Sequence, residues 1–451
     1  MSDLRHNVLY ITLGCAKNEV DTDRMRSLLN AADYDEVFTT DEADVVIINT
    51  CSFLASASEE SIQTTLAVAE DLHDEGIRNV PIVMTGCLPS RYGTELFAEM
   101  PEVARFVCIE EEDNIVSILD EVLASERMCP QVIPALKRTV EGSVAYVKIS
   151  DGCDRYCHFC AIPYIRGRYY SRSCEEILSE VRGLVAGGVR EIILIGQDTG
   201  IWGTDFDKTV EGPRNLAQLM QAVAQEVRGK GVWVRVLYLQ PEGMTEELIG
   251  TIRDTPEILP YIDIPIQHCN ARVLKSMHRS GSTAEFEELF EHLRQEIPGM
   301  VIRSTAMAGY PGETDEEAEE LVDFLERVGF DYCSVFAYSP EEGTVGATLP
   351  DQIDEDIKQE RTQDLMDLAE TMGFSATAAH VGEICDVIID GIEETEDGSE
   401  FIGHAWFQAP DSDGAVHLDL EEAAIGDVVR VKLVDSFCYE LVGEVIDTEC
   451  E

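Results

Sequence analysis

The chain has 451 residues, 45% of them hydrophobic, and a formal charge of -55 at neutral pH with an isoelectric point near 4.3. That length predicts about three domains, each with a real core, and so acidic a composition excludes a surface built to grip phosphate backbones unless a local basic patch overrides the field. The first seven residues are polar and no apolar run approaches a membrane span; fourteen cysteines then suggest reduced thiols and metal ligands, so a soluble cytoplasmic protein is expected.

From residue 1 to about 135 strand and helix patterns alternate. Apolar runs at 8–13, 45–48 and 82–84 predict strands, and helical periodicity covers 19–31 and 59–72. This alternation implies an α/β domain with an open parallel sheet and crossover helices. Cys15 follows Ile11-Thr-Leu-Gly, Cys51 follows Ile47-Ile-Asn-Thr and Cys87 follows Val83-Met-Thr-Gly, so each stands just past the carboxyl end of a strand. Those ends gather along one edge of an open sheet, where ligands bind in such folds. Three cysteines far apart in sequence are therefore expected to converge as ligands of an iron-sulfur cluster that keeps one iron open.

After the apolar run at 144–149 comes Asp151-Gly-Cys-Asp-Arg-Tyr-Cys-His-Phe-Cys160. The C-x3-C-x2-C spacing of Cys153, Cys157 and Cys160 puts three thiolates in one loop at the mouth of a strand, enough for three irons of a 4Fe-4S cube. A structural zinc site would want four ligands, usually as two C-x2-C knuckles, and no second pair lies nearby. His158, adjacent to Cys157, is poorly placed to close the same tetrahedron. The motif, with aromatic Phe159 before its last cysteine, resembles that of radical S-adenosylmethionine enzymes. The resemblance implies that the open iron binds S-adenosylmethionine, whose one-electron cleavage gives a primary carbon radical.

Between about 140 and 340 six strand-like runs recur, at 144–149, 191–195, 232–239, 261–266, 301–307 and 331–338, with helices at 174–186, 215–226 and 314–328 between them. Six repeats are too few for a closed eight-stranded barrel, so a partial (β/α)6 barrel is expected. Active sites of barrels are built at the carboxyl ends of the strands. Gly196-Gln197-Asp198, Gln267-His268, Arg303-Ser304 and the loop Gly309-Tyr-Pro-Gly-Glu-Thr314 are assigned there. Gln197, Asp198, Gln267 and Arg303 are accordingly the expected contacts of S-adenosylmethionine.

Residues 351–379 read as an acidic amphipathic helix whose pattern ends near Gly373. Short strands at 384–389, 428–433 and 440–445, broken by acidic turns such as 393–399, predict a small antiparallel barrel. The division that follows is an N-terminal α/β domain at 1–135, the partial barrel with its trailing helix at 140–378, and the small barrel at 379–451.

Gly14-Cys-Ala-Lys-Asn-Glu-Val-Asp21, Asn49-Thr-Cys51, Thr85-Gly-Cys87 and the radical motif, in this order, resemble the methylthiotransferase family, and the small barrel resembles its TRAM domain. Gly14-Cys-Ala-Lys-Asn with Asp21, Ala161-Ile-Pro-Tyr-Ile-Arg-Gly167 and Tyr338-Ser-Pro-Glu-Glu-Gly343 look like the RimO branch, although that branch often has proline where Ala16 stands. The resemblance implies two 4Fe-4S clusters, a radical one on Cys153, Cys157 and Cys160 and an auxiliary one on Cys15, Cys51 and Cys87. It also implies methylthiolation of the beta carbon of an aspartate in small-subunit ribosomal protein S-twelve, with electrons from a reductant such as flavodoxin or ferredoxin.

The alternative is a tRNA methylthiotransferase acting on a modified adenosine. Charge favours the protein substrate. Residues 383–422 contain no lysine or arginine, which suits a basic ribosomal protein and repels RNA. A narrow basic groove around Arg166, Arg168 and Arg172 is the feature that would offset this.

Overall fold

The computed structural model describes residues 5–74, 80–124, 138, 142–395, 398–420 and 422–446. Strands β1 (His6–Thr12), β2 (Tyr34–Val37), β3 (Val45–Thr50), β4 (Ile82–Gly86) and β5 (Val103–Cys108) form a parallel sheet in the order β2-β1-β3-β4-β5. Helix α1 (Ala16–Ala31) follows β1, and α2 (Ala55–Asp74) follows β3. Val45 and Ile47 enter one core with Met25 and Leu29 of α1, while Val46 and Ile48 enter another with Val68 and Leu72 of α2. Covered on both faces, β3 reads as a continuous apolar run. Strands β2 and β5 were not foreseen, because Tyr34-Asp-Glu-Val and Val103-Ala-Arg-Phe are short and mixed in polarity.

After the six-residue helix α3 (Cys87–Tyr92), a second parallel sheet is built from β6 (Val144–Lys148), β7 (Glu191–Ile195), β8 (Trp233–Val236), β9 (Ile258–Asp263), β10 (Val301–Ala308) and β11 (Tyr332–Ala337). Neighbours follow chain order and the sheet does not close, as a partial barrel requires. Its convex face carries α4 (Cys174–Ala186), α5 (Leu216–Val227), α6 (Glu246–Asp254), α7 (Thr283–Glu296) and α8 (Asp315–Val328) on Ile192, Leu194, Val234, Ile262 and Ile302. Ser173 with Glu176, and Thr314 with Glu317, form capping boxes that fix where α4 and α8 begin.

The trailing helix α9 (Glu355–His380) runs on past Gly373. Glycine there does not end the helix; it makes room for the Tyr439 ring, which an added Cβ would meet at 2.5 Å. Strands β12 (Ile384–Thr395), β13 (Gly398–Ala405), β14 (Val416–Leu418), β15 (Val428–Phe437) and β16 (Glu440–Val445) then close a barrel in the order β12-β13-β14-β16-β15. Four ladders are antiparallel and the β14–β16 ladder is parallel. A ring of five strands cannot alternate direction all the way round, so the expectation of a purely antiparallel barrel had to fail at one ladder. The acidic stretch at 393–399 is the end of the β12–β13 hairpin, with Glu393 opposite Glu400; 396–397 lie outside the described residues. So does most of the segment holding the expected domain boundary at 135–140.

This barrel plugs the concave face of the second sheet. Ile193, Leu237, Tyr261 and Val301 share a core with Val387, Phe407 and Leu433. Polar contacts cross the same junction. Glu191 accepts from Arg235 Nε at 2.6 Å and lies 2.7 Å from His404 Nε2, and the Tyr261 hydroxyl donates to Asp413 at 2.5 Å.

Candidate active site

Strands β1, β3 and β4 deliver the first three cysteines to one edge. Cys15 caps α1 with an extended backbone, Cys51 follows β3 and Cys87 opens α3. Two of these approaches depend on a glycine. Gly14 (φ +105°) would place a Cβ 2.8 Å from Cys51 Cβ, and Gly86 (φ +94°) would place one 2.6 Å from the Thr50 carbonyl; only glycine takes that conformation and lets the chains come so close. Buried Asn18 ties the three together. Its Nδ2 donates to Asn49 Oδ1 at 3.0 Å and to the Thr50 carbonyl at 3.1 Å, and approaches Cys87 Sγ at 3.9 Å, while Cys15 Sγ donates to its Oδ1 at 3.4 Å. Asn18 and Asn49 belong to motifs quoted from the sequence, but nothing in spacing or composition revealed this role.

The second triad sits in a loop pinned by its backbone. Cys153 N–H donates to the Gly167 carbonyl at 3.2 Å, Cys160 N–H to the Cys157 carbonyl at 3.0 Å and His158 N–H to the Met277 carbonyl at 3.0 Å. His158 Nδ1 lies 2.8 Å from the Ser276 carbonyl and the ring stacks on His278, so that nitrogen is engaged by backbone. Phe159 packs among Val273, Met277, Tyr310 and Tyr338.

The two cysteine loops touch. Cys87 packs against Ala161 and Ile165, directly after Cys160. Arg166, with its side chain 1% exposed, reaches across: Nη2 lies 3.0 Å from Asp21 and 3.9 Å from Cys87 Sγ, and Nη1 lies 3.2 Å from Asp151. Lys148 Nζ completes the square at 2.5 Å from Asp21 and 2.6 Å from Asp151. Asp21 comes from α1 and the other three from the radical loop and β6, so a buried ionic square joins the two sheets at the point where the triads meet. A second clamp binds Arg91 to Glu341 at 3.0 Å, with the Ala55 N–H on the same carboxylate at 2.9 Å; Tyr338-Ser-Pro-Glu-Glu-Gly343 is thus a docking segment.

Burial pushes the Cys87 and Cys153 thiols up to about 11 and Cys160 to about 12, Arg166 opposing the rise at Cys87. Bound iron reverses that preference, because a coordinating thiol is deprotonated outright. Each set offers three soft sulfur donors. Among the described residues no three His, Cys, Asp or Glu side chains gather closely enough to hold a single metal ion; a four-iron cube attaches its ligands to separate irons, so its thiolates surround a volume and not a point. The donor sets fit such a cube.

At the carboxyl ends of the strands, Gln197 buries both Oε1 and Nε2 without a partner. Asp198 holds Arg155 Nε at 2.6 Å through one oxygen and leaves the other unpartnered, and burial raises its pKa in spite of the arginine. Gln267 takes φ +68° and hydrogen-bonds through its backbone to Thr305 and Met307. Unsatisfied buried amide and carboxyl atoms call for a polar ligand, which suits the cofactor expected here. Arg303 differs from expectation in place: it is the third residue of β10, which continues to Ala308, and its Nη2 donates to Ser334 at 2.7 Å while Asp413 of the small barrel lies 3.4 Å from Nε. The basic groove considered from sequence is largely neutralised. Arg166 is buried in the square, Arg172 pairs with Glu180 at 2.8 Å, and Arg168, 78% exposed, pairs with Asp154 at 2.8 Å. No helix among the described residues is long and apolar enough to cross a membrane.

Comparison with known proteins agrees with this arrangement. Residues 147–325 match the Radical SAM superfamily, residues 7–108 the uncharacterized protein family UPF0004 and residues 381–446 the TRAM domain. The ribosomal protein uS12 methylthiotransferase RimO of Thermosynechococcus vestitus is 40% identical, covering 97% of this chain and 96% of its own. That of Geobacter sulfurreducens is 39% identical over 99% of this chain and all of its own. Among solved structures, the radical S-adenosylmethionine methyltransferase TsrM of Kitasatospora setae superposes with a TM-score of 0.53 at 14% identity, covering 74% of this chain and 75% of that one, a likeness of fold alone. With near-complete coverage by such relatives, the chain belongs to the RimO family of radical S-adenosylmethionine methylthiotransferases.

Proposed function

We propose that this enzyme adds a methylthio group to the beta carbon of the target aspartate of ribosomal protein uS12 in the cytoplasm, drawing electrons from a flavodoxin or ferredoxin. The observation that carries the proposal is the contact between two three-cysteine loops from separate sheets, joined by the Asp21–Arg166–Asp151 bridge. Cys153, Cys157 and Cys160 would hold the radical cluster and Cys15, Cys51 and Cys87 the auxiliary one; Gln197, Asp198 and Gln267 would orient S-adenosylmethionine, with Arg303 deeper on the same concave face. When bound, these groups supply one-electron cleavage of the cofactor, hydrogen abstraction and methylated sulfur.

The chain's own residues hold the two sites side by side, with Cys51 and Cys87 buried and Cys15 open to solvent. In this division of labour residues 1–135 carry the sulfur site, 140–378 the radical site, and 379–451 close the floor of the partial barrel. A protein substrate is supported over tRNA by the paired state of Arg166, Arg168 and Arg172 and by the absence of basic residues from 383–422. Two measurements test the assignment on anaerobically reconstituted enzyme. Intact-mass analysis of ribosomal protein uS12 should show the methylthio increment, and its absence beside a modified tRNA would refute the substrate. Replacing Cys153, Cys157 and Cys160 by Ala should abolish 5'-deoxyadenosine and leave about half the iron, whereas replacing Cys15, Cys51 and Cys87 should spare cofactor cleavage and stop thiolation; equal loss of both activities in both variants would refute divided roles.

A further inference from the structure

Lys17 lies in the first turn of α1, two residues after Cys15, and is only 8% exposed. Its ammonium sits 3.1 Å above the centre of the Tyr238 ring. Among the described residues it has no hydrogen bond and no carboxylate within ion-pair distance, so its donors are free for a ligand. The ring that holds it is at the other site: Tyr238 stands two residues beyond β8, its carbonyl accepts from Thr199 N–H at 3.1 Å next to Asp198, and its N–H donates to Asp263 at 3.1 Å. Lys17 therefore spans from the Cys15 triad to the carboxyl ends of β7, β8 and β9.

Asp263, 3% exposed, is the anion facing Lys17 across the Tyr238 backbone, and Arg303 is its register partner on β10. Burial raises the Asp263 pKa, opposed by Arg303, by the Tyr238 N–H and by Lys17, so this one carboxylate is shared among several donors. A substrate that met the radical from the Asp198 side and sulfur from the Cys15 side would lie near this ammonium, which bridges the two. A desolvated carboxylate beside the reacting carbon needs such a counter-charge.

We propose that Lys17, held by Tyr238, is the receptor for the side-chain carboxylate of the residue being modified, and so makes the enzyme select aspartate over asparagine. The proposal rests on the function proposed above. The same chemistry, a carboxylate, is also present in S-adenosylmethionine, and the test separates the two sources.

Full-length, anaerobically reconstituted enzyme is titrated with isolated ribosomal protein uS12, with the same protein carrying asparagine at the target, and with S-adenosylmethionine. Wild type should favour the aspartate form by about 10- to 100-fold, the worth of a hydrogen bond to a charged group. Lys17→Met, which keeps an apolar stem over Tyr238, should bring the ratio near one with cofactor affinity unchanged, and Lys17→Arg should restore most of it. An unchanged ratio in Lys17→Met would overturn the proposal, as would a fall in cofactor affinity with the ratio intact. Wild type that modifies the ribosomal protein yet ignores the aspartate-to-asparagine change sinks the subsite alone. Wild type that discriminates between the two forms but never modifies either sinks the proposed reaction and leaves the subsite standing.

Discussion

Replacing Arg166 by Met would remove the charge at the centre of the ionic square while keeping much of the stem. Asp21 and Asp151, both nearly inaccessible, would be left to share Lys148. At an effective dielectric of ~20 the 3.0 Å contact to Asp21 is worth ~5 kcal/mol before desolvation. Breaking a buried pair from one side costs about 3–5 kcal/mol, a large share of the about 5–15 kcal/mol that keeps a domain folded. Asp21 and Arg166 belong to different α/β units, so the loss should appear as undocking: an earlier first transition in denaturant and faster proteolysis, measured anaerobically on reconstituted enzyme. Adding Asp21→Asn should recover about 1–3 kcal/mol, because the orphaned charge goes with it. The acid limb reports the same square. Burial alone would raise the Asp151 pKa, but Lys148 and Arg166 hold it well below the usual carboxylate range. Its contribution is therefore present above the unfolded value near 3.8 and lost as pH falls toward the folded one, and Arg166→Met should flatten that fall. Strictly additive costs in the double variant, with an unchanged acid limb, would refute the shared-charge account.

His404 should give the opposite pH signature at the floor of the partial barrel. Burial would lower its pKa, yet hydrogen bonds to Asp390 and Glu191 raise it from 6.5 to about 9. Docking stability on the order of 3 kcal/mol is then complete below about pH 6.5 and lost as pH rises through about 9; the unfolding midpoint should fall over that window in wild type and not in His404→Gln, and a flat wild-type profile would count against the charged pair. Gly373→Ala should destabilise by about 1–3 kcal/mol. The new Cβ meets the Tyr439 ring, whose hydroxyl is tied to the Ala369 carbonyl at 2.8 Å. In an unobstructed helix the same change stabilises by about 1 kcal/mol, so a higher melting temperature would show that the close approach is absent.

Much of this protein is local and was therefore legible. Strand-length apolar runs, helical periodicity and cysteines standing one step beyond a strand all act within a few residues, and they sufficed for the fold class, a parallel sheet, a partial barrel and a small closed barrel, and for placing the cysteines at strand ends. The Ser173–Glu176 and Thr314–Glu317 capping boxes are equally local but were not read from the sequence. Contacts between elements far apart in sequence were not legible. Arg166 looked like a surface cation because its partner Asp21 is 145 residues away. Gly373 looked like a helix stop because Tyr439, the reason for it, lies in another domain. Arg303 looked like a strand-end ligand because the groups that engage its side chain, Ser334 on the next strand and Asp413 in the small barrel, are distant in sequence. Local pattern determined which residues are apolar, capped or thiol-bearing. Only packing decided which charges are buried together, because desolvation turns an ordinary charged side chain into a fixed strut once a partner from elsewhere in the chain meets it.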